Sequence, residues 1–222
     1  MKLVKFSDFK VVVAEDTFEP TTISKVVPKL GIDVRDKKLL DLGCGVGPIA
    51  IHFSREGADV TASDVSERHI HFTELNAHNN NVNINVIHSD LFESIEEKFD
   101  IIFCDVSGIP KYIADITDWY PEGVPVADDT GNNLIHTVVD EAPKYLNENG
   151  ELYICSSSLS NQFKLIRKLQ DNFSYSYMYD VKPIPFCKEL YSLVEDGSLN
   201  TSNYHKKGSR YCWDLYVYKA VL

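Results

Sequence analysis

KLLDLGCGVG, residues 38–47, is the stretch of sequence that decides the fold. Its first five residues form a short, mostly apolar run, which is typical of a buried parallel strand. Glycine then occupies every second position, and residues 48–53 return to helical spacing. A strand, a glycine-rich turn and a helix in this order predict the first unit of a nucleotide-binding α/β sheet. Glycine suits such a turn because the backbone bends sharply and a ligand lies against it.

The turn does not match the fingerprint of a dinucleotide site. That fingerprint, G-x-G-x-x-G, has glycine three positions after its second glycine, whereas this chain has Pro48 three positions after Gly45. Acidic residues also follow the predicted strands, namely Asp41, Asp64, Asp90 and Asp105. Four carboxylates around one crevice would repel a pyrophosphate, and they favour a ligand that carries positive charges and a ribose diol.

The strand-Asp-x-Gly-x-Gly-x-Gly pattern resembles the first motif of class I S-adenosylmethionine-dependent methyltransferases. Residues 15–158 resemble that family best, and the nearest group is the "small-domain" group with release-factor glutamine and ribosomal-protein methyltransferases. The resemblance implies S-adenosyl-L-methionine as the cofactor. It also implies an α/β, Rossmann-like sheet of seven mostly parallel strands, with an antiparallel last strand and helices on both faces.

The resemblance places the cofactor across the glycine turn and the ends of the next strands. Asp64, 17 positions after the last glycine, is placed to accept both ribose hydroxyls. By the family pattern Asp90 holds the adenine amino group, and the backbone of Leu91 contacts the ring. The predicted cofactor-binding residues are Asp41, Gly43, Cys44, Gly45, Gly47, Asp64, Val65, Asp90, Leu91 and Asp105.

The acceptor is expected at the end of the fourth predicted strand, residues 99–104. Glutamine and adenine methyltransferases carry Asn- or Asp-Pro-Pro-aromatic there, whereas this chain has Asp105 followed by VSGIP. The acidic position is kept, but the clamp that holds a planar amide or base is not visible. We predict that Asp105 orients an amine or hydroxyl or takes its proton, with Ser107 assisting.

The length of 222 residues predicts a single methyltransferase domain, residues 1–222. Within it we expect an N-terminal arm and helix at 1–30, a substrate loop at 107–130 and an insertion at 183–210 before the last strand. The aromatic residues expected to bind substrate in that loop are Tyr112, Trp119 and Tyr120. They suggest a substrate lid at the edge of the sheet, and a satellite core is the alternative.

Composition limits the partners. The chain has 22 Lys and Arg against 33 Asp and Glu, a net charge of −11, which argues against a surface that grips phosphate backbones everywhere. The basic cluster at residues 206–210 is either a local RNA contact or a solvated loop. No apolar run approaches the length needed to span a membrane, so we predict no membrane partner and a cytoplasmic location.

Cysteine and histidine spacing predicts no metal site. The five cysteines include no C-x-x-C pair, which argues against a disulfide scaffold and a zinc site. His69, His71 and His78 share one predicted helix. His71 and His78, seven positions apart, could share a face, but no third ligand has a helical spacing from them.

Three functions remain open for this sequence. The first, which we favour, is methyl transfer to a nitrogen or oxygen of a small molecule, because of the aromatic loop and the acidic surface. The second is methylation of a protein, such as a ribosomal protein or release factor, or of RNA. The third is a non-catalytic binding module of the same fold. A homo-oligomer is possible in each case.

Overall fold

The computed structural model describes residues 1–121 and 124–222. The strands are β1 Lys2–Lys5, β2 Lys10–Val13, β3 Lys38–Leu42, β4 Asp59–Asp64, β5 Asn85–His88, β6 Phe99–Cys104, β7 Leu146–Ser157, β8 Tyr175–Pro185, β9 His205–Lys207 and β10 Arg210–Val221. The helices are α1 Thr22–Val26, α2 Pro48–Arg55, α3 Glu67–Asn79, α4 Lys111–Ala114, α5 Asn133–Tyr145, α6 Gln162–Asn172 and α7 Lys188–Glu195.

Eight strands of the described residues form the main sheet: seven lie in the order β5-β4-β3-β6-β7-β10-β8, and the short β9 pairs with β10. The strands from β5 to β7 run parallel, and β10 is antiparallel to both of its long neighbours. This arrangement confirms the predicted α/β sheet with an antiparallel last strand. The order reverses between β3 and β6, and open α/β sheets bind their ligands at such a switch point.

Both faces of the sheet are covered, which explains why β3 reads as a continuous apolar run. Leu39 and Leu40 are both fully buried on opposite faces. Leu40 packs in the cluster that includes Val138 of α5 and Leu165 of α6. Leu39 packs with Phe53 of α2 in the second cluster.

Local sequence predicts some element boundaries and misses others. The Asn149-Gly150 pair predicts a turn with a strand from 151, whereas β7 begins at Leu146. The turn lies inside the strand as an irregularity: Asn149 has a φ of 59°, and the pairing with β6 shifts there. Ser66, a residue type favoured at helix N-termini, caps α3. The Thr21 side chain makes no capping hydrogen bond, although α1 begins at Thr22.

The N-terminal hairpin of β1 and β2 is fastened to α3. The Asn76 side chain accepts from the Val12 amide at 2.7 Å and donates to the Val12 carbonyl at 3.0 Å. It also donates to the carbonyl of Val46 in the glycine turn, at 2.9 Å. One buried amide therefore joins the hairpin, the third helix and the turn.

The segment between β8 and β10 packs on the loop that follows β6. Leu190 and Leu193 of α7 are buried with Ile109, Ile113 and Trp213. Ile109 and Trp213 of this cluster also line the cavity at the carboxyl ends of the central strands. Among the described residues, no helix is long and apolar enough to cross a bilayer.

Candidate active site

A cavity of about 690 Å³ lies at the carboxyl ends of the central strands. This volume falls in the range of roughly 300–1,000 Å³ that is usual for small-molecule and cofactor sites. The half beside the glycine turn, where the cofactor is predicted and which we call the cofactor half, is lined by Gly43, Gly45, Asp64, Asp90 and Leu91. The half where the acceptor is predicted, which we call the acceptor half, is lined by Ser107, Trp119, Tyr120, Phe186 and Trp213.

The three glycines of the turn have different tasks. Gly43, Gly45 and Gly47 all have positive φ, at 79°, 55° and 84°. A Cβ on Gly43 would lie 2.9 Å from the Val106 side chain, and one on Gly47 would lie 2.9 Å from the Thr73 side chain. A Cβ on Gly45 would meet nothing within 4 Å, and Gly45 lines the cavity. Two glycines therefore permit close packing, and the third leaves a cradle open.

Asp64 is held rigidly at the end of β4. Its Oδ2 accepts from the Gly45 amide at 2.9 Å, and its Oδ1 accepts from the Ser66 amide at 2.9 Å. The His69 Nδ1 also lies 2.9 Å from Oδ1. A carboxylate has about four acceptor positions, so these contacts leave one on Oδ2 for a ligand hydroxyl.

Two acids behind and beside the cavity resist ionisation. Asp41 is fully buried, and neither of its oxygens has a hydrogen-bond partner of normal geometry among the described residues. Burial first, and then the charge of Asp64, raise the pKa of Asp41 to about 7 against an opposing effect of the Ala50 amide that is weaker than that of burial. Burial, and then the charge of Asp41, raises the pKa of Asp105 well above its usual value. A cation bound nearby would relieve both effects, so the site suits a ligand with an ammonium and a sulfonium.

Tyr120 and Ser107 form the border of the acceptor half. The Ser107 hydroxyl donates to the Tyr120 oxygen at 3.0 Å and accepts from the Ala127 amide at 3.2 Å. Burial raises the pKa of Tyr120 to about 12, so its hydroxyl stays protonated at neutral pH. The Tyr120 ring lies 5.3 Å from the ring of Phe18, and that of Trp119 lies 6.0 Å from Trp213.

The structure brings most of the predicted site residues together. Those that line the cavity are Gly43, Gly45, Asp64, Val65, Asp90, Leu91, Asp105, Ser107, Trp119 and Tyr120. Asp41, Cys44 and Gly47 lie outside the lining, and all three are buried. Tyr112 also lies outside it, 37% exposed on α4. Residues 122 and 123 of the predicted substrate loop lie outside the described residues.

Sequence reasoning missed several residues that line the cavity. They are Phe18 and His69 on the cofactor side, and Phe186 and Trp213 on the acceptor side. His69 follows the strand-end Asp64 by five positions. The sequence pattern there predicts only an ordinary helical residue. Trp213 alternates with smaller residues on β10, which predicts a core position as readily as a site.

The model of the methyltransferase small domain family matches residues 22–105. A putative protein N5-glutamine methyltransferase of Methanocaldococcus jannaschii is 29% identical over 76% of this chain and 86% of its own length. The release factor glutamine methyltransferase of Lactococcus lactis is 29% identical over 68% of this chain. The chain spans only 59% of that second relative.

Solved structures share the fold. A 16S rRNA methyltransferase of T. thermophilus, solved with AdoMet and guanosine, superposes with a TM-score of 0.64. It is 16% identical, and the match covers 99% of this chain and 49% of that one. A ribosomal protein methylase of Lactobacillus delbrueckii subsp. bulgaricus has a TM-score of 0.58 at 16% identity, covering 90% and 80%.

The strand order, the glycine turn and the comparisons agree on the kind of enzyme. The chain is an S-adenosylmethionine-dependent methyltransferase, as its first motif predicts. It resembles the class I enzymes, and among them the small-domain group that includes glutamine methyltransferases. Its cofactor is S-adenosyl-L-methionine, which supplies a methyl group on a sulfonium. The non-catalytic alternative is therefore set aside.

Proposed function

We propose that this methyltransferase methylates a nitrogen atom of a macromolecule, and in the first place a protein side chain. The names of its relatives support a protein or RNA acceptor, the alternative that the sequence left open. They give no support to the small-molecule acceptor that we favoured from the sequence. Since the chain spans part of several relatives, the acceptor is our proposal and not a property carried over from them.

For the cofactor, we propose that the cradle at Gly45 and the strand ends around it form the binding surface. Asp64 keeps one acceptor position for a ribose hydroxyl, and Asp90 with Leu91 lines the cavity where the family pattern expects adenine. The buried Asp41, whose ionisation a bound cation would favour, supplies negative charge behind the cationic end of the ligand.

The observation that carries the acceptor proposal is the position of Asp105 and Ser107 between the two halves of the cavity. A carboxyl group with a raised pKa keeps a carbonyl oxygen that accepts a hydrogen bond from an amide or amine N–H. The nitrogen would form its bond to the methyl carbon as the carbon–sulfur bond of the donor breaks, and its proton would pass to water, because a protonated Asp105 cannot accept it. Positioning of this kind is worth roughly 7–11 kcal/mol, so these residues need only hold the nitrogen in line.

RNA is the second candidate, because a basic hairpin lies at the far edge of the acceptor side. Lys206, Lys207 and Arg210 on β9 and β10 are exposed and join no ion pair in the part of the chain that is described. Lys206 stacks over Tyr211 at 4.9 Å. Cations beside aromatic rings are typical of contacts to single-stranded nucleic acid. The net charge of −11 favours the protein acceptor instead.

A labelling experiment separates these acceptors. A cell lysate is incubated with the enzyme and methyl-labelled cofactor, then divided between protease and ribonuclease. We expect label in high-molecular-mass material that protease releases. Label released by ribonuclease would move the proposal to RNA, and label found only in the dialysable fraction would overturn both.

A further inference from the structure

The segment at residues 15–21 is hydrogen-bonded to the cofactor half through one buried histidine. The Phe18 amide donates to the Nε2 of His69 at 3.0 Å. His69 is only 3% exposed, although it sits in the first turns of α3. Residues 18–22 and His69 all line the cavity. The histidine therefore lies between the segment and the site.

These contacts determine which nitrogen of His69 carries the proton. Because Nε2 accepts from the Phe18 amide, the proton of the neutral ring is on Nδ1. Nδ1 then donates to Oδ1 of Asp64 at 2.9 Å. One ring thus joins a backbone amide of the segment to the carboxylate that we place at the ribose.

The same segment also touches the acceptor half. The Phe18 ring lies against Tyr120, whose oxygen accepts from Ser107. Immediately before Phe18, Thr17 closes a turn with Ala14 by hydrogen bonds of 3.0 and 3.1 Å. Phe18 therefore lies between the two halves of the cavity, and the segment is fastened at this turn and at His69.

We propose that His69 is a positioning residue for the cofactor. It holds the carboxylate of Asp64 in the orientation that receives the ribose, and it holds residues 15–21 over the bound cofactor. Binding of the cofactor and closure of this segment are coupled through its ring. The coupling concerns the cofactor half, so it holds whichever acceptor is methylated.

A buried histidine that serves only the core would give a different result. The core role needs the ring volume, whereas positioning needs one acceptor and one donor at the two nitrogens. His69→Phe keeps the ring and removes both hydrogen bonds. His69→Gln restores an amide with one acceptor and one donor. His71→Phe, at an exposed position two residues along the same helix, is the matched control.

The test measures calorimetric affinity for S-adenosylhomocysteine and hydrogen exchange of residues 15–21, with KM and kcat determined in parallel. In the parent protein, the ligand should slow exchange of the Phe18 amide. His69→Phe should weaken binding about tenfold or more, the loss expected from a hydrogen bond to a charged group, and should abolish that slowing. Its KM for the methyl donor should rise more than its kcat falls. His69→Gln should recover most of the affinity, and His71→Phe should match the parent.

Two results would overturn the proposal. One is a folded His69→Phe variant that binds within twofold of the parent and shows the same ligand-induced protection. The other needs no variant, so it applies even if His69→Phe does not fold. In it, hydrogen exchange of residues 15–21 in the parent is the same with and without S-adenosylhomocysteine.

Discussion

Single residues in the glycine turn separate packing from ligand binding. Alanine at position 45 or 47 adopts a left-handed backbone, which costs roughly 1–2 kcal/mol in either variant. Gly47→Ala should lose more stability, because its Cβ would press on Thr73, whose hydroxyl donates to the Gly45 carbonyl. Gly45→Ala should lose cofactor binding instead, because its Cβ enters the open cradle. Urea unfolding and calorimetry with S-adenosylhomocysteine measure the two effects, and normal binding by Gly45→Ala would contradict the proposed cofactor position.

Asp41 makes stability depend on pH. Its folded pKa of about 7 lies above the ordinary value of 3.8, so the folded state holds a proton that the unfolded state releases between about pH 4 and 7. The free energy of unfolding should fall as pH rises through this window, by up to ~1.4 kcal/mol per pH unit from this group. Asp41→Asn should reduce the decrease of the free energy of unfolding with pH. The part of the decrease that comes from Asp105 should remain. Equal slopes for parent and variant in urea unfolding would show that Asp41 is ionised in the folded protein.

Asp105 acts, in our proposal, on the acceptor and not on the cofactor. Asp105→Ala should lower turnover roughly tenfold or more and leave affinity for S-adenosylhomocysteine nearly unchanged, because it removes the carbonyl oxygen that we propose orients the nitrogen. Asp171→Ala, which makes the same chemical change at an exposed position on α6, should behave like the parent. A collapse of cofactor affinity would place Asp105 on the other side of the methyl group.

At the scale of elements, the loop after α4 remains a predicted substrate lid. Trp119 and Tyr120 are already half-buried against Trp213 and Phe18, whereas Tyr112 is exposed. Acceptor binding should protect Trp119 and Tyr120 further, because a bound acceptor excludes the remaining water. Hydrogen exchange across residues 112–121 with and without acceptor measures this. Equal protection in both states would make the loop a fixed wall, and Trp119→Ala would then act through stability.

At the scale of the whole molecule, the basic hairpin stands against an acidic chain. If RNA is the acceptor, Lys206→Glu combined with Lys207→Glu should weaken RNA binding and reduce its salt dependence, because each lost phosphate contact lowers the slope by about one. The control combines Lys164→Glu with Arg167→Glu at exposed positions of α6. It makes the same charge change and should have little effect on RNA binding. If the acceptor is a protein without such contacts, methylation by both double variants should match the parent.

Local patterns predicted the cofactor half because its signals are short. The run at residues 38–42, the glycines after it and the acids at the strand ends each follow from neighbours within a few positions. The contact of His69 with Phe18 joins residues 51 apart in sequence. The contact of Trp119 with Trp213 joins the loop after α4 to β10. No periodicity reports such pairs, since each residue alone suits an ordinary helix or strand.

The sequence by itself determined the class of sheet, the glycine turn and the identity of the cofactor. Those depend on apolar runs, glycine placement and charge, which are properties of neighbouring residues. Only the tertiary structure decided that residues 18–22 line the cavity and that Asp41 is buried without a partner. It also showed that the segment before β10 packs on the acceptor side. The reason is that burial and hydrogen bonding between distant segments depend on how the whole sheet and its helices pack, and one stretch of chain does not encode this.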